Sequence, residues 1–236
     1  MTAISPNCAY QAVLFDCDGV LVDSEGITNQ VLCQMFNEAG WALRYDECYA
    51  IFHGIAVRDQ RQRIEAETGK PLTEAWMADF YARRNARLST ELEAEPGAID
   101  AIKALHHQFG GRIACASGGD PLKLELQLKR VGLYSYFEGR IFSGQVLPRN
   151  KPHPDVYLAA AKSLGIAPAH CFVVEDSIPG STAGMAAGAT VIGYDKLGDY
   201  VPGMRALGVQ HFITHMGDLP AKIATLTGRS AALHST

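Results

Sequence analysis

At 236 residues the chain is long enough for one large domain or two small ones, and its 47% hydrophobic and 19% charged content suits a globular protein with a sizeable core. A formal net charge of −4, without a basic stripe, excludes an electrostatic footprint for nucleic acid. No apolar run approaches the ~20 residues that span a bilayer, so no membrane contact is expected.

In chain order, the start "MTAISPNCAYQ" lacks the cationic and apolar regions of a signal peptide. The six cysteines (Cys8, Cys17, Cys33, Cys48, Cys115, Cys171) form no CxxC pair, which fits free thiols in a reducing cytoplasm. The stretch "AVLFDCDGVLVDSE" reads as strand and hairpin from about Ala12 to Val22. From Ser24 to Leu92 the pattern is helical. In "ITNQVLCQMFNEAG" the residues Ile27, Val31, Leu32, Met35 and Phe36 share one face, and Gly40 stops the helix. Three further helices are expected in "YDECYAIFHG", "AVRDQRQRIEAETG" and "LTEAWMADFYARRNARL".

After "EAEPG" the character changes again. Helices near Ala98–His107, Pro121–Val131, Pro154–Leu164 and Leu219–Leu226, with a small-residue helix after "CFVVED", alternate with the strands "RIACAS", "RIFSG", "CFVVED", "ATVIGY" and "HFITH". Such alternation predicts βαβ units and a parallel sheet covered on both faces. The expected fold is therefore α/β, a Rossmann-like parallel sheet over residues 1–23 and 93–236, with an all-helical insert over residues 24–92.

Asp16, Ser117 and the pair Glu175-Asp176 each follow a predicted strand directly. The carboxyl ends of parallel strands share one edge, where ligands bind, so these residues should converge on one crevice. Blander explanations exist for each: Asp18-Gly19 is a turn signal, and Ser117, Glu175 or Asp176 would serve as helix caps. Convergence is what those explanations do not supply. Four carboxylates (Asp16, Asp18, Glu175, Asp176) in one crevice repel one another unless a cation neutralises them, and an all-oxygen set suits Mg²⁺. Lys151 adds a positive charge, and Ser117 with Gly118 offers a hydroxyl and backbone N–H groups, so an anion is the expected guest. For a phosphate, Asp16 would attack phosphorus, giving an aspartyl-phosphate. Asp18, its pKa raised by acidic neighbours, would protonate the leaving oxygen and then activate water. Cys17 should face the other side of the extended chain, and His211 and His215 lie on a strand rather than as a helical metal pair.

The segments "FDCDGVLVDSE", "ASGG", "NKPHPD" and "VVEDS", in that order, resemble the haloacid dehalogenase superfamily of phosphohydrolases, and the helical insert is similar to its C1-type cap. The resemblance runs from about residue 10 to 217 and is nearest to the sugar-phosphate phosphatase and β-phosphoglucomutase branch. "STELEAEPGA" and "IFSG" are similar to the 6-phosphogluconate phosphatase type. It implies that Asp16 is the nucleophile and that Asp18 is the acid/base, with its backbone carbonyl on Mg²⁺. Ser117 and Lys151 would hold the phosphoryl group, and Asp176 with Glu175 would complete the metal site. The cap segment "FHGIAVRD" marks His53, Gly54 and Arg58 as substrate-reading candidates, and hinges are expected near Val22–Glu25 and Ser89–Glu95. Two departures narrow the choice. Thr28 stands where the mutases carry His, and Asp18 is absent from true dehalogenases.

The function expected is a Mg²⁺-dependent phosphatase acting on a small phosphorylated metabolite, a sugar phosphate or sugar-acid phosphate, under a cap that excludes water. One alternative is a β-phosphoglucomutase-like phosphotransferase. Another is a phospho-accepting, receiver-like signalling module, which the insert disfavours. Oligomeric state is not legible, and a monomer is compatible with the sequence.

Overall fold

A computed structural model describes residues 9–52 and 57–228. These fall into two compact units that divide at Val22/Asp23 and at Glu93/Ala94.

The α/β unit is built on six parallel strands: β1 (Ala12–Phe15), β2 (Ile113–Ser117), β3 (Ile141–Ser143), β4 (Cys171–Glu175), β5 (Thr190–Tyr194) and β6 (His211–Ile213). Their spatial order is β3-β2-β1-β4-β5-β6. The chain moves outward from β1 through β2 to β3, then returns to the other side of β1 with β4. The order thus reverses between β1 and β4, which opens a crevice at their carboxyl ends. Every residue of β1, β2 and β4 is buried, as strands covered on both faces require.

Among the described residues of this unit seven helices follow: α5 (Ala98–Gln108), α6 (Pro121–Arg130), α7 (Tyr134–Phe137), α8 (Asp155–Ser163), α9 (Ile178–Ala186), α10 (Val201–Ala206) and α11 (Leu219–Leu226). Those at the crevice start with sequence-encoded caps. Asp120 accepts from Lys123 N–H at 2.8 Å with Pro121 beginning α6, and Ser177 accepts from Gly180 N–H at 3.1 Å to begin α9.

The helical unit carries α1 (Glu25–Ala39), α2 (Tyr45–Phe52), α3 (Arg61–Thr68) and α4 (Glu74–Glu91). Its core is aromatic: Phe36 stacks on Phe52 at 4.8 Å and on Trp76 at 5.5 Å, and Trp41 lies 5.1 Å from Phe36. Helix α1 stops at Gly40, whose φ of 102° is open to glycine but strained for other residues, as the sequence suggests.

The expected strand and hairpin over Ala12–Val22 is shorter than read. β1 stops at Phe15, and the next residues fold back on one carbonyl: Val20, Leu21 and Val22 N–H all donate to Cys17 O at 2.9–3.4 Å. Gly19 has φ +74°, and its N–H donates to Val22 O at 2.9 Å. The turn explanation of Asp18-Gly19 is therefore correct locally, and the crevice adds a second demand on the same glycine. No helix among the described residues is long and apolar enough to cross a membrane.

Candidate active site

Asp16 follows β1, Ser117 ends β2, and Glu175 ends β4 with Asp176 next, so three neighbouring strands deliver them to one edge. One carboxylate oxygen each from Asp16, Glu175 and Asp176 lies within 4.8 Å of the others. Lys151, from the loop before α8, places Nζ 2.8 Å from Asp16 Oδ1 and 2.6 Å from Glu175 Oε1.

Glu175 is fully buried, and donors saturate its carboxylate. Lys151 Nζ and the Tyr157 hydroxyl (2.7 Å) reach Oε1, while Ser177 N–H (3.2 Å) and its hydroxyl (2.9 Å) reach Oε2. Its contacts make it the anchor that fixes Lys151 beside Asp16. Asp16 differs: its buried Oδ1 is paired with the Lys151 ammonium, and no further donor among the described residues reaches it. Burial, the largest influence, raises the Asp16 carboxyl to about 6; Lys151 opposes this, and Glu175 and Asp18 reinforce it. Burial alone would depress the Lys151 ammonium, but Asp16 and Glu175 outweigh it and hold it above its ordinary range.

These observations test the fit of a hard cation. The donors are all oxygens, they converge, and beyond Lys151 no donor among the described residues reaches the buried Asp16 Oδ1, so the residues present fit Mg²⁺. A cation there would offset both the burial and the acidic neighbours that lift Asp16.

The capping alternatives are displaced. The cap of α6 is Asp120, not Ser117, and the cap of α9 is Ser177, not Glu175 or Asp176. Ser117 is buried, and its Oγ accepts from Gly119 N–H at 3.2 Å, which folds the Gly118-Gly119 loop over the strand end. Asn150 ties that loop to the Lys151 loop: its Nδ2 donates to Gly118 O at 3.2 Å and its Oδ1 accepts from Lys151 N–H at 2.8 Å.

Asp18 is not one of the three grouped carboxylates. Its Oδ1 instead accepts from Lys123 Nζ at 2.7 Å and from Gln127 Nε2 at 2.8 Å. Acidic neighbours alone are expected around Asp18 from the sequence; its two donors, together with Asn150, Tyr157 and Ser177, are not. Cys17 is buried, and hydrogen bonding with Cys115, then burial, pushes its thiol well above the usual range, so it is no nucleophile. The described cysteines are all free thiols. His215 Nδ1 accepts from Gly217 N–H at 3.0 Å, a local turn contact.

Two of the substrate-reading candidates, His53 and Gly54, lie outside the described residues. Arg58 is placed in the helical unit, where its guanidinium makes paired bonds of 2.6 and 2.7 Å to Glu74.

Gly19 is required here twice. Its φ is positive, and a Cβ would stand 1.9 Å from Asp176 Oδ2. Gly19→Ala is therefore expected to push Asp176 out of the cluster, weaken binding of Mg²⁺ there by about tenfold and destabilise the fold by at least about 1 kcal/mol. A Mg²⁺-binding titration beside a denaturant melt checks both; unchanged Mg²⁺ affinity would contradict it.

A family model described as haloacid dehalogenase-like hydrolase matches residues 10–188. The chain belongs to this family. The 6-phosphogluconate phosphatase of Escherichia coli is 32% identical over 182 residues, covering 77% of this chain and 80% of that protein. Hexitol phosphatase A of the same organism is 33% identical over 194 residues, covering 79% and 83%. A crystal structure of a haloacid dehalogenase family hydrolase from Deinococcus radiodurans, with bound phosphate and sodium, is 32% identical and superposes with a TM-score of 0.77 over 95% of this chain and 100% of that one.

Proposed function

We propose that this phosphatase of the haloacid dehalogenase family hydrolyses a small phosphorylated metabolite, a sugar phosphate or sugar-acid phosphate, with Mg²⁺ and through an aspartyl-phosphate on Asp16. The reading rests on one observation above all. A buried carboxylate oxygen on Asp16 stands 2.8 Å from the Lys151 ammonium at the carboxyl ends of β1 and β4. A nucleophile that attacks an anionic ester needs a cation beside it, and this one has two candidates, Lys151 and a metal.

Asp16, Asp176 and the backbone carbonyl of Asp18 would hold Mg²⁺, with Glu175 behind them. When bound, the ion supplies charge that offsets the phosphoryl oxygens and the crowded carboxylates. Lys151 neutralises a phosphoryl oxygen, and Ser117 with the Gly118-Gly119 loop donates to others. Asp16 forms a bond to phosphorus while the ester oxygen leaves with a proton from Asp18. Asp18 then takes a proton from water as that water bonds to phosphorus and the Asp16 bond breaks. Asparagine in place of Asp18 would leave the phosphoenzyme long-lived.

The helical unit is read as the cap domain, with His53, Gly54 and Arg58 as its candidate specificity residues. Relatives named for phosphogluconate and hexitol phosphates favour a polyol-bearing substrate. The free thiols fit a cytoplasmic site of action.

Phosphate release with Mg²⁺ across phosphorylated sugars, sugar acids, sugar alcohols and nucleotides tests this. Release from the sugar-derived group, lost with a chelator and restored by Mg²⁺, is expected. Isomerised sugar phosphate without free phosphate would favour a mutase. A stable phosphoprotein without turnover would favour a signalling module.

A further inference from the structure

Asp18 is not a member of the three-carboxylate group, and its Oδ1 is turned toward helix α6. Lys123 and Gln127 stand one turn apart, at i and i+4, on the buried side of that helix. Both donate to the same oxygen, Asp18 Oδ1, at 2.7 and 2.8 Å. Lys123 is 8% exposed and Gln127 is fully buried, so neither is a surface side chain that happens to reach an acid.

The amide of Gln127 is itself oriented. Cys17 Sγ donates to its Oε1 at 3.6 Å, which turns the NH₂ end toward Asp18. A reversed amide would set its oxygen against the carboxylate. Helix α6 is in turn fixed at its start by Asp120, whose side chain accepts from the backbone N–H of Lys123 itself. The other carboxylate oxygen, Asp18 Oδ2, lies on the side of the Ser117–Gly119 loop, 3.5 Å from where a Cβ on Gly119 would stand. One oxygen is thus fastened to α6 while the second is directed toward the phosphate-holding loop.

A buried lysine and a buried glutamine cost desolvation that leucines at the same helix positions would avoid. We propose that Lys123 and Gln127 are positioning residues, which hold Asp18 in the orientation from which it exchanges a proton with the leaving-group oxygen. The inference rests on the phosphatase reading above, with Asp18 as acid and base. In the first half-reaction the Asp18 proton passes to the ester oxygen as the P–O bond breaks and the Asp16–P bond forms. The second returns a water proton to Asp18 as the water oxygen bonds to phosphorus and the Asp16–P bond breaks.

Leaving-group dependence separates this role from a structural one. Nitrophenolate departs without a proton, whereas phenol departs poorly without one. Single-turnover release would be measured from p-nitrophenyl phosphate and phenyl phosphate, with Mg²⁺, for the unaltered enzyme, Lys123→Met, Lys123→Arg, Gln127→Leu and Asp18→Asn. Lys123→Met should slow phenol release by about 10²-fold, the low end of what acid–base catalysis contributes, and nitrophenol release far less, with little change in KM. Lys123→Arg should recover part of the loss, since it keeps the charge without the geometry. Gln127→Leu should act in the same direction and carries the test if Lys123→Met does not fold. An equal loss on both substrates, or a loss in KM alone, overturns the positioning role. If Asp18→Asn fails to discriminate between the substrates, the acid–base reading itself falls. If Asp18→Asn discriminates and neither α6 variant does, only the present inference falls.

Discussion

Asp16→Asn is expected to lower kcat by about 10³-fold or more while the protein stays folded. The amide is nearly isosteric with the carboxylate, so packing at the end of β1 is kept, but its nitrogen and oxygen do not attack phosphorus usefully. The expected stability change follows from the electrostatics. Burial raises the Asp16 carboxyl to about 6, so in the metal-free protein its charged form is already disfavoured by its surroundings. Removing that charge should leave metal-free stability unchanged or slightly higher, and Mg²⁺ should stabilise the variant less than it stabilises the parent. Steady-state rates beside thermal melts with and without Mg²⁺ read both effects. Retained activity in a folded Asp16→Asn protein would remove the nucleophile from the account.

Lys151→Met should damage both stability and rate. The ammonium neutralises two carboxylates at once, and its side chain is 8% exposed against 10% for Asp16 and 0% for Glu175. Deleting one partner of such a cluster strands the other charges, at a cost of about 3–5 kcal/mol. On the proposed mechanism the same deletion removes the fixed cation beside the reacting phosphoryl group, for a further expected loss of about 10²–10³-fold in kcat. A double variant separates the two. Lys151→Met with Glu175→Gln removes one of the two stranded anions, the fully buried one, so it should regain part of the stability and none of the rate. Equilibrium urea unfolding and kinetics on the single and double variants measure this. Lys151→Met as stable as the parent would mean that the cluster is not held together as described.

How much of this was legible in the sequence follows the range of the interactions. The strands and their order of appearance rest on local apolar runs, and Asp16, Ser117 and Glu175 stand at strand ends in any correct reading of those runs. The family to which the chain belongs was legible from four short segments in order. Helix α10 was not foreseen, because "VPGMRA" carries both Pro and Gly. Asp195 explains it: four backbone N–H groups, from Leu197, Gly198, Tyr200 and Val201, bond to its carboxylate and set the turn into the helix.

The donors to Asp18 were hidden for another reason. In "LKLELQLK" leucine alternates with polar residues, a period that marks no face on a helix. The structure buries Lys123, Leu124, Gln127 and Leu128 and leaves Leu122 77% exposed, so charge and amide face inward while a leucine faces solvent. Only the partner, 105 residues away in sequence, gives that choice a reason. The close approaches at Gly19 and Gly180, where a Cβ would lie 1.9 Å from Asp176 and 1.7 Å from Glu175, are likewise set by residues far along the chain.

The central claim is a covalent phosphoenzyme on Asp16. The direct measurement is rapid acid quench of Asp18→Asn protein mixed with p-nitrophenyl phosphate and Mg²⁺, followed by peptide mapping by mass. Asparagine at position 18 slows the water step, and nitrophenolate leaves without a proton, so the intermediate should accumulate. The account predicts one hydroxylamine-labile phosphate on the peptide containing Asp16, absent when Asp16 is also Asn. Multiple turnovers by the unaltered enzyme, with no phosphate found on Asp16 in the quenched variant, would contradict it.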